Sequence, residues 1–190
     1  MKNLISSVRE SAENISNISV ISVCGMLLAM QAVLGSFTIN VTQQMKIGFA
    51  FLPTAAAGFL FGPVAGGIMG ALGDVLSSII RPTGPYFPGF TLSGFIGGFI
   101  YGLLLYKKPA GLLRTSVARA AVFVCVSLLL NPMWLCVVYG KSFIAVFAGR
   151  FAAKTIMLPA DIFFLYTLLK ILEKGATGAF GGRFFRRHGN

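Results

Sequence analysis

The chain has 190 residues, of which 56% are hydrophobic and 11% charged, and its mean hydropathy is +0.82. That composition excludes an ordinary water-soluble domain and sets a single membrane-embedded domain as the expectation. A net charge of +11 would suggest nucleic acid in a soluble protein, but most of the cations fall in short connections and tails, where they set topology, and no nucleic-acid partner is expected.

Apolar runs of about 20 residues, the length that crosses a bilayer, recur along the chain, so it is more than a signal peptide. The opening Met-Lys-Asn-Leu-Ile also lacks the long apolar region and small-residue cleavage site of a cleaved leader. Residues 1–17 are polar and mixed in charge, fitting an amphipathic lead-in helix or a frayed tail. Span one is predicted from Ser19 to Ser36. Its Gly25 and Ala29, with Ala32 close to the same face, let another helix approach closely, either inside the bundle or on a partner. Residues Phe37 to Lys46 are too polar to span, and Asn40, Thr42, Gln43 and Gln44 give this loop hydrogen-bonding capacity.

Span two, Ile47 to Phe61, is short, contains Pro53, and turns through Gly62-Pro63 into span three, Pro63 to Ile80. Gly66, Gly67, Gly70 and Gly73 stud span three, and Asp74 places a carboxylate in it. The connection Arg81 to Thr91 holds three prolines and two glycines, so neither flanking helix can continue through it and the loop is stiff. It carries the Arg81 guanidinium and the rings of Tyr86, Phe87 and Phe90. Such a loop suits the mouth of a site for a planar, partly anionic solute, and equally an interfacial aromatic belt. Span four runs from Gly89 to Tyr106. Span five runs from Val117 to Val138, with Arg119 just inside and Asn131-Pro132 interrupting it near the far end. Span six, Val146 to Leu172, contains Arg150, Lys154 and Asp161, and a glycine-rich basic tail closes the chain. The predicted organisation is a six-helix transmembrane domain, residues 1–174, followed by a flexible tail, residues 175–190. The fold class is all-α.

Six spans place both termini on one side. Lys2, Arg9, Lys107, Lys108, Arg114, Lys170, Lys174, Arg183, Arg186 and Arg187 collect there, against Lys46, Arg81 and Lys141 opposite. By the positive-inside rule both termini are cytoplasmic.

Charges within spans cost several kcal/mol, which makes Asp74, Arg150, Lys154 and Asp161 functional candidates. At ~100° per residue the last three share a helix face, and a structural Lys154–Asp161 pair is the plain alternative. Asp74 and Asp161 each lie roughly 16 Å from the inner end of their helix. Lys46, Arg81, Lys141, Arg150 and Lys154 form an outward-facing positive field that would draw in an anion. An aspartate at mid-depth can accept from ring N–H groups, while Tyr86, Phe87, Phe90, Trp134 and Tyr139 offer faces for stacking. The solute implied is amphiphilic, with a planar heteroaromatic end and a carboxylate end. The candidate substrate-binding residues are Gln43, Gln44, Lys46, Asp74, Arg81, Tyr86, Phe87, Phe90, Trp134, Arg150, Lys154 and Asp161.

Catalysis is not expected. The one histidine, His188, lies in the tail, no Walker string is present, and Ser77, Ser78 and Ser93 lack an evident base. Cys24, Cys125 and Cys136 lie unpaired in apolar runs and suit neither a disulfide nor a metal site. No cofactor is expected.

Leu52-Pro53, Gly62-Pro63-Val64-Ala65-Gly66, Gly73-Asp74, the string Gly84-Pro85-Tyr86-Phe87-Pro88-Gly89-Phe90-Thr91-Leu92-Ser93, and Tyr101-Gly102 resemble the substrate-binding S components of energy-coupling factor vitamin transporters, most closely the folate family. The resemblance covers nearly all of the chain except the last fifteen or so residues. It implies a six-span protein of the plasma membrane that binds a vitamin from outside with high affinity. It also implies toppling in the bilayer on docking to a transmembrane T subunit energised by two ATPase subunits. Related S components for pantothenate or hydroxymethylpyrimidine share parts of the middle region. The family's docking motif carries alanines where this chain has Gly25 and Ala29, and Asp74 matches the family's Gly-Asp position. A stand-alone permease would more often show an inverted repeat, and residues 19–106 and 117–172 show no self-similarity.

Overall fold

The computed structural model describes residues 8–13, 15, 17–37, 39–42, 45–80, 86–140 and 143–179. The chain folds as a helical bundle with one short hairpin. Helix α1 spans Ile18–Ser36, where Asn17 begins the helix by accepting from the Ser19 amide at 3.2 Å. Strands β1 (Ile39–Thr42) and β2 (Met45–Ile47) then pair antiparallel, with Ile39 opposite Ile47 and Asn40 opposite Lys46. This connection was expected to be a loop. Its polar residues instead satisfy their backbone groups across a two-stranded ladder.

Helix α2 (Phe51–Phe61) is shorter than the predicted span two, because residues 47–50 belong to the hairpin and its exit. It turns at Gly62, whose φ of 95° favours glycine, into α3 (Pro63–Ile80), which has the predicted bounds. Helix α4 follows at Pro88–Leu105. The next span starts five residues earlier than predicted: α5 (Leu112–Val122) runs into a π-helical segment (Phe123–Leu130) and on into α6 (Asn131–Tyr139). Asn131-Pro132 therefore does not interrupt it. The Asn131 amide reaches back five residues to Val126, and this widened turn accommodates the ring of Pro132, which has no N–H to donate, without ending the helix. Helix α7 runs Phe143–Ala179, beyond the predicted end, with Pro159 inside it. The remaining basic tail, residues 180–190, lies outside the described residues.

Among the described residues five helices are long and apolar enough to cross a membrane, and α2 is a shorter apolar helix. Helix α1 buries little within the bundle, presenting Ile18, Ile21, Met26 and Val33 outward. Helices α2, α3 and α4 pack backbone to backbone. A Cβ added to Gly94 would lie 2.6 Å from the Gly70 carbonyl oxygen, and one on Gly58 would lie 2.8 Å from the Gly102 nitrogen. Contact this close supplies dispersion attraction where the bilayer removes any hydrophobic drive for helix association. A core of Phe59, Tyr101, Leu105, Val122, Leu165 and Leu169 joins this trio to α5 and α7.

The end of the bundle carrying the N-terminal residues is fastened by polar groups. Ser11, fully buried, donates to the Phe61 carbonyl at 2.7 Å and accepts from the Val64 and Ala65 amides at 3.2 and 3.4 Å. It thus caps α3 from about fifty residues away in sequence, satisfying first-turn amides that no residue of the helix can reach. Beside it, Lys107 holds Glu10 through both carboxylate oxygens at 2.5 and 2.6 Å.

Candidate binding cavity

A cavity of about 340 Å³ opens between α1, α2, α3, α4, the α5–π segment and α7, within the size range of small-ligand sites. Glycines of α3 and α4 leave room for it, and its polar wall is made by Gln31, Thr54, Asp74, Ser93, Arg119 and Lys154.

Asp74 is fixed by the aromatic loop. The Thr91 hydroxyl donates to Asp74 Oδ2 at 2.9 Å, and the Tyr86 hydroxyl lies 2.9 Å from the same Thr91 oxygen. With the Thr91 proton directed at the carboxylate, Tyr86 is the donor in the second bond. The relay Tyr86 to Thr91 to Asp74 ties the loop before α4 to the acid of α3. Phe87 packs on Phe90 edge-on, centroids 6.2 Å apart, and tilts against Trp134 at 5.5 Å. Trp134 Nε1 donates at 3.1 Å to Ser93, which is buried and lines the cavity. Phe87, Phe90 and Trp134 thus form one cluster joined to the cavity through Ser93, while Tyr86 is joined to it through Thr91 and Asp74, and the rings themselves are not among its lining residues. On the α1 side, Gln31 accepts from Thr54 at 3.1 Å and its amide lies against Gly73, where any Cβ would collide with it.

The opposite wall holds an ion pair that the sequence did not single out. Arg119 donates through one terminal nitrogen to Asp161 and through the other to the Tyr101 hydroxyl at 2.7 Å, and its guanidinium sits 3.9 Å from the Phe51 ring centroid. Their side chains are only 11% and 8% exposed. Burial of a charge demands such a partner, and removing one of the two typically costs about 3–5 kcal/mol. Arg119 lines the cavity, whereas Asp161 stands behind it. The signal was available: with the helix starting at Leu112, Arg119 lies two turns inside a span, where an ionisable residue is a functional candidate.

Of the residues proposed from sequence, Asp74 and Lys154 line the cavity. Gln43, Gln44 and Arg81 lie outside the described residues, and of Lys46 and Arg150 only the backbone is described, in β2 and α7. Gly25 and Ala29 are exposed on the outer side of α1, with open space where a Gly25 Cβ would stand, while Ala32 lines the cavity. No group of three or more potential metal ligands occurs among the described residues.

Comparison with known proteins places this architecture. Residues 20–170 match the family described as ECF transporter, substrate-specific component. The chain belongs to the ECF substrate-specific (S) components. This S component is 36% identical over 157 residues to the folate transporter FolT of Clostridium novyi, covering 83% of this chain and 91% of that one. It is 31% identical over 150 residues to FolT of Leuconostoc mesenteroides, covering 76% and 80%. It also superimposes on a crystal structure of FolT bound with folic acid with a TM-score of 0.75 at 34% identity, covering 82% of this chain and 95% of the other. Family and helices together make it a multi-pass protein of the plasma membrane.

Proposed function

We propose that this S component binds folate from outside the cell and delivers it as the substrate-recognising subunit of an ECF transporter. The observation that carries the reading is the cavity wall itself: an aspartate fixed by the Tyr86–Thr91 relay, facing a cavity that also holds two cations. A carboxylate at mid-depth accepts from the amino and N–H groups of a pterin ring. The glutamate tail then extends toward the cationic end, where Lys154 lines the cavity and Lys46, Arg81 and Arg150 fall in the same stretch of the bundle by sequence. The similarity to a FolT holding folic acid supports the same choice.

In this reading α2 completes a six-span count, both termini are cytoplasmic by the positive-inside distribution, and residues 175–190 form a basic tail after the binding domain of residues 1–174. The chain carries out no catalysis. Its energy comes from ATPase subunits through a transmembrane T subunit, against which the exposed Gly25 and Ala29 face of α1 docks, and toppling of the S component carries the substrate across. The test is uptake: vesicles containing the complete complex and loaded with ATP should accumulate labelled folate from the medium, and ATP-loaded vesicles lacking this chain should not. Uptake of pantothenate or hydroxymethylpyrimidine in place of folate would contradict the assignment.

A further inference from the structure

We infer that Arg119 is a specificity-determining residue that donates a hydrogen bond to a ring oxygen of the bound ligand, making the cavity selective for an oxo-substituted heterocycle. The inference rests on the folate reading and deepens it. Arg119 has five N–H groups. One terminal nitrogen donates to Tyr101 and the other to Asp161, and among the described residues the remaining three N–H groups meet no protein acceptor, although the side chain is only 11% exposed and lines the cavity. Among the described residues no Arg119 nitrogen is a fully buried atom lacking a partner, so the spare Arg119 donors are ones the cavity reaches, and a ligand acceptor at this wall can take them.

The surroundings fix which acceptor. Asp161 already neutralises the guanidinium, so this wall carries no net charge and favours a neutral carbonyl oxygen over a carboxylate. The Phe51 ring under the guanidinium and the Tyr101 hydroxyl hold its plane, so the fork is organised before the ligand arrives. Asp74, in the same cavity, is an acceptor only. A pterin carries ring donors at its amino and N3 positions beside an acceptor at its 4-oxo group, and one wall of this site matches each.

The experiment compares folic acid with aminopterin, which has an amino group in place of the 4-oxo oxygen and, when neutral, no hydrogen on N3, so the share of the preference owed to Arg119 is read from its change on mutation. Dissociation constants are measured for the full chain in detergent: wild type, R119K, and the double variant R119Q/D161N. R119K keeps a cation opposite Asp161, and the double variant removes both charges together, so neither leaves a lone buried charge. Wild type should prefer folic acid. In both variants that preference should fall roughly ten- to hundredfold, the range expected for losing a hydrogen bond from a charged donor, through weaker folic acid binding with aminopterin nearly unchanged. A wild-type protein that binds both compounds equally overturns the inference, as does a monodisperse variant that keeps the wild-type ratio. Failure of the wild type to bind either compound would overturn the folate reading itself, and this inference with it.

Discussion

The relay onto Asp74 predicts a ranked set of losses. Asp74→Asn removes the acceptor charge that meets the ligand ring, which costs about 2–5 kcal/mol, or between one and four decades in folate affinity. Thr91→Val keeps the shape of the side chain and removes the hydroxyl that donates to Oδ2 at 2.9 Å. A hydrogen bond to a charged group is worth about 1.5–3 kcal/mol, but here only its orienting part reaches the ligand, so a loss of about 1 kcal/mol, roughly fivefold, is expected. Tyr86 is 53% exposed, and water replaces its hydroxyl at Thr91, so Tyr86→Phe should weaken binding by no more than about twofold. Because Tyr86 acts through the Thr91 hydroxyl, adding Tyr86→Phe to Thr91→Val should change nothing further. Isothermal titration of folic acid into the four purified variants measures the series. If Tyr86→Phe were as harmful as Asp74→Asn, or additive with Thr91→Val, Tyr86 would touch the ligand directly and the relay would be wrong.

Ser11→Ala should cost about 1–3 kcal/mol by stranding the Val64 and Ala65 amides, lowering the thermal midpoint by roughly 3–10 °C with folate affinity unchanged; light-scattering melts in detergent check both. Arg81→Ala should weaken folate strongly and leave a pterin fragment lacking the glutamate nearly unaffected, whereas Asp74→Asn weakens both; equal losses for Arg81→Ala on the two ligands would assign that residue to loop shape alone. Folate should quench the fluorescence of Trp134, the one tryptophan of the chain, because its Nε1 bonds the cavity residue Ser93; an unchanged spectrum at saturation would separate the aromatic cluster from the ligand. Gly25→Leu and Ala29→Leu should abolish uptake by the assembled transporter while the isolated chain still binds folate, and normal uptake would put the docking face elsewhere.

The span of α3 was legible because glycine and proline act locally. Proline leaves no freedom in φ and no donor, so Gly62-Pro63 and the helix start at Pro88 announce themselves. The hairpin at residues 39–47 was not legible, since a polar stretch of this length carries no clear period and its pairing depends on a register set across strands. Pro132 misled for the opposite reason: a local rule predicted a break, and the π-helical turn before it absorbed the conflict. Asp74 was found because a carboxylate in an apolar run is conspicuous. Arg119 was passed over because the predicted span began at Val117, which left the guanidinium at a helix end when it lies two turns inside. Its pairing with Asp161 joins residues 42 positions apart on different helices, and no periodicity along one helix reports that. The spacing of Lys154 and Asp161 along α7 was visible in the sequence, but that Asp161 meets Arg119 is decided by how α5 packs on α7.

The most direct test of the account is a binding titration of the purified chain, without any partner subunit, against folic acid, pantothenate and hydroxymethylpyrimidine. The account predicts saturable binding of folic acid at one molecule per chain, no competition from the other two compounds, and loss of one to four decades in affinity in Asp74→Asn. Tight binding of either other compound with folic acid excluded, or folic acid binding that survives Asp74→Asn intact, would contradict it.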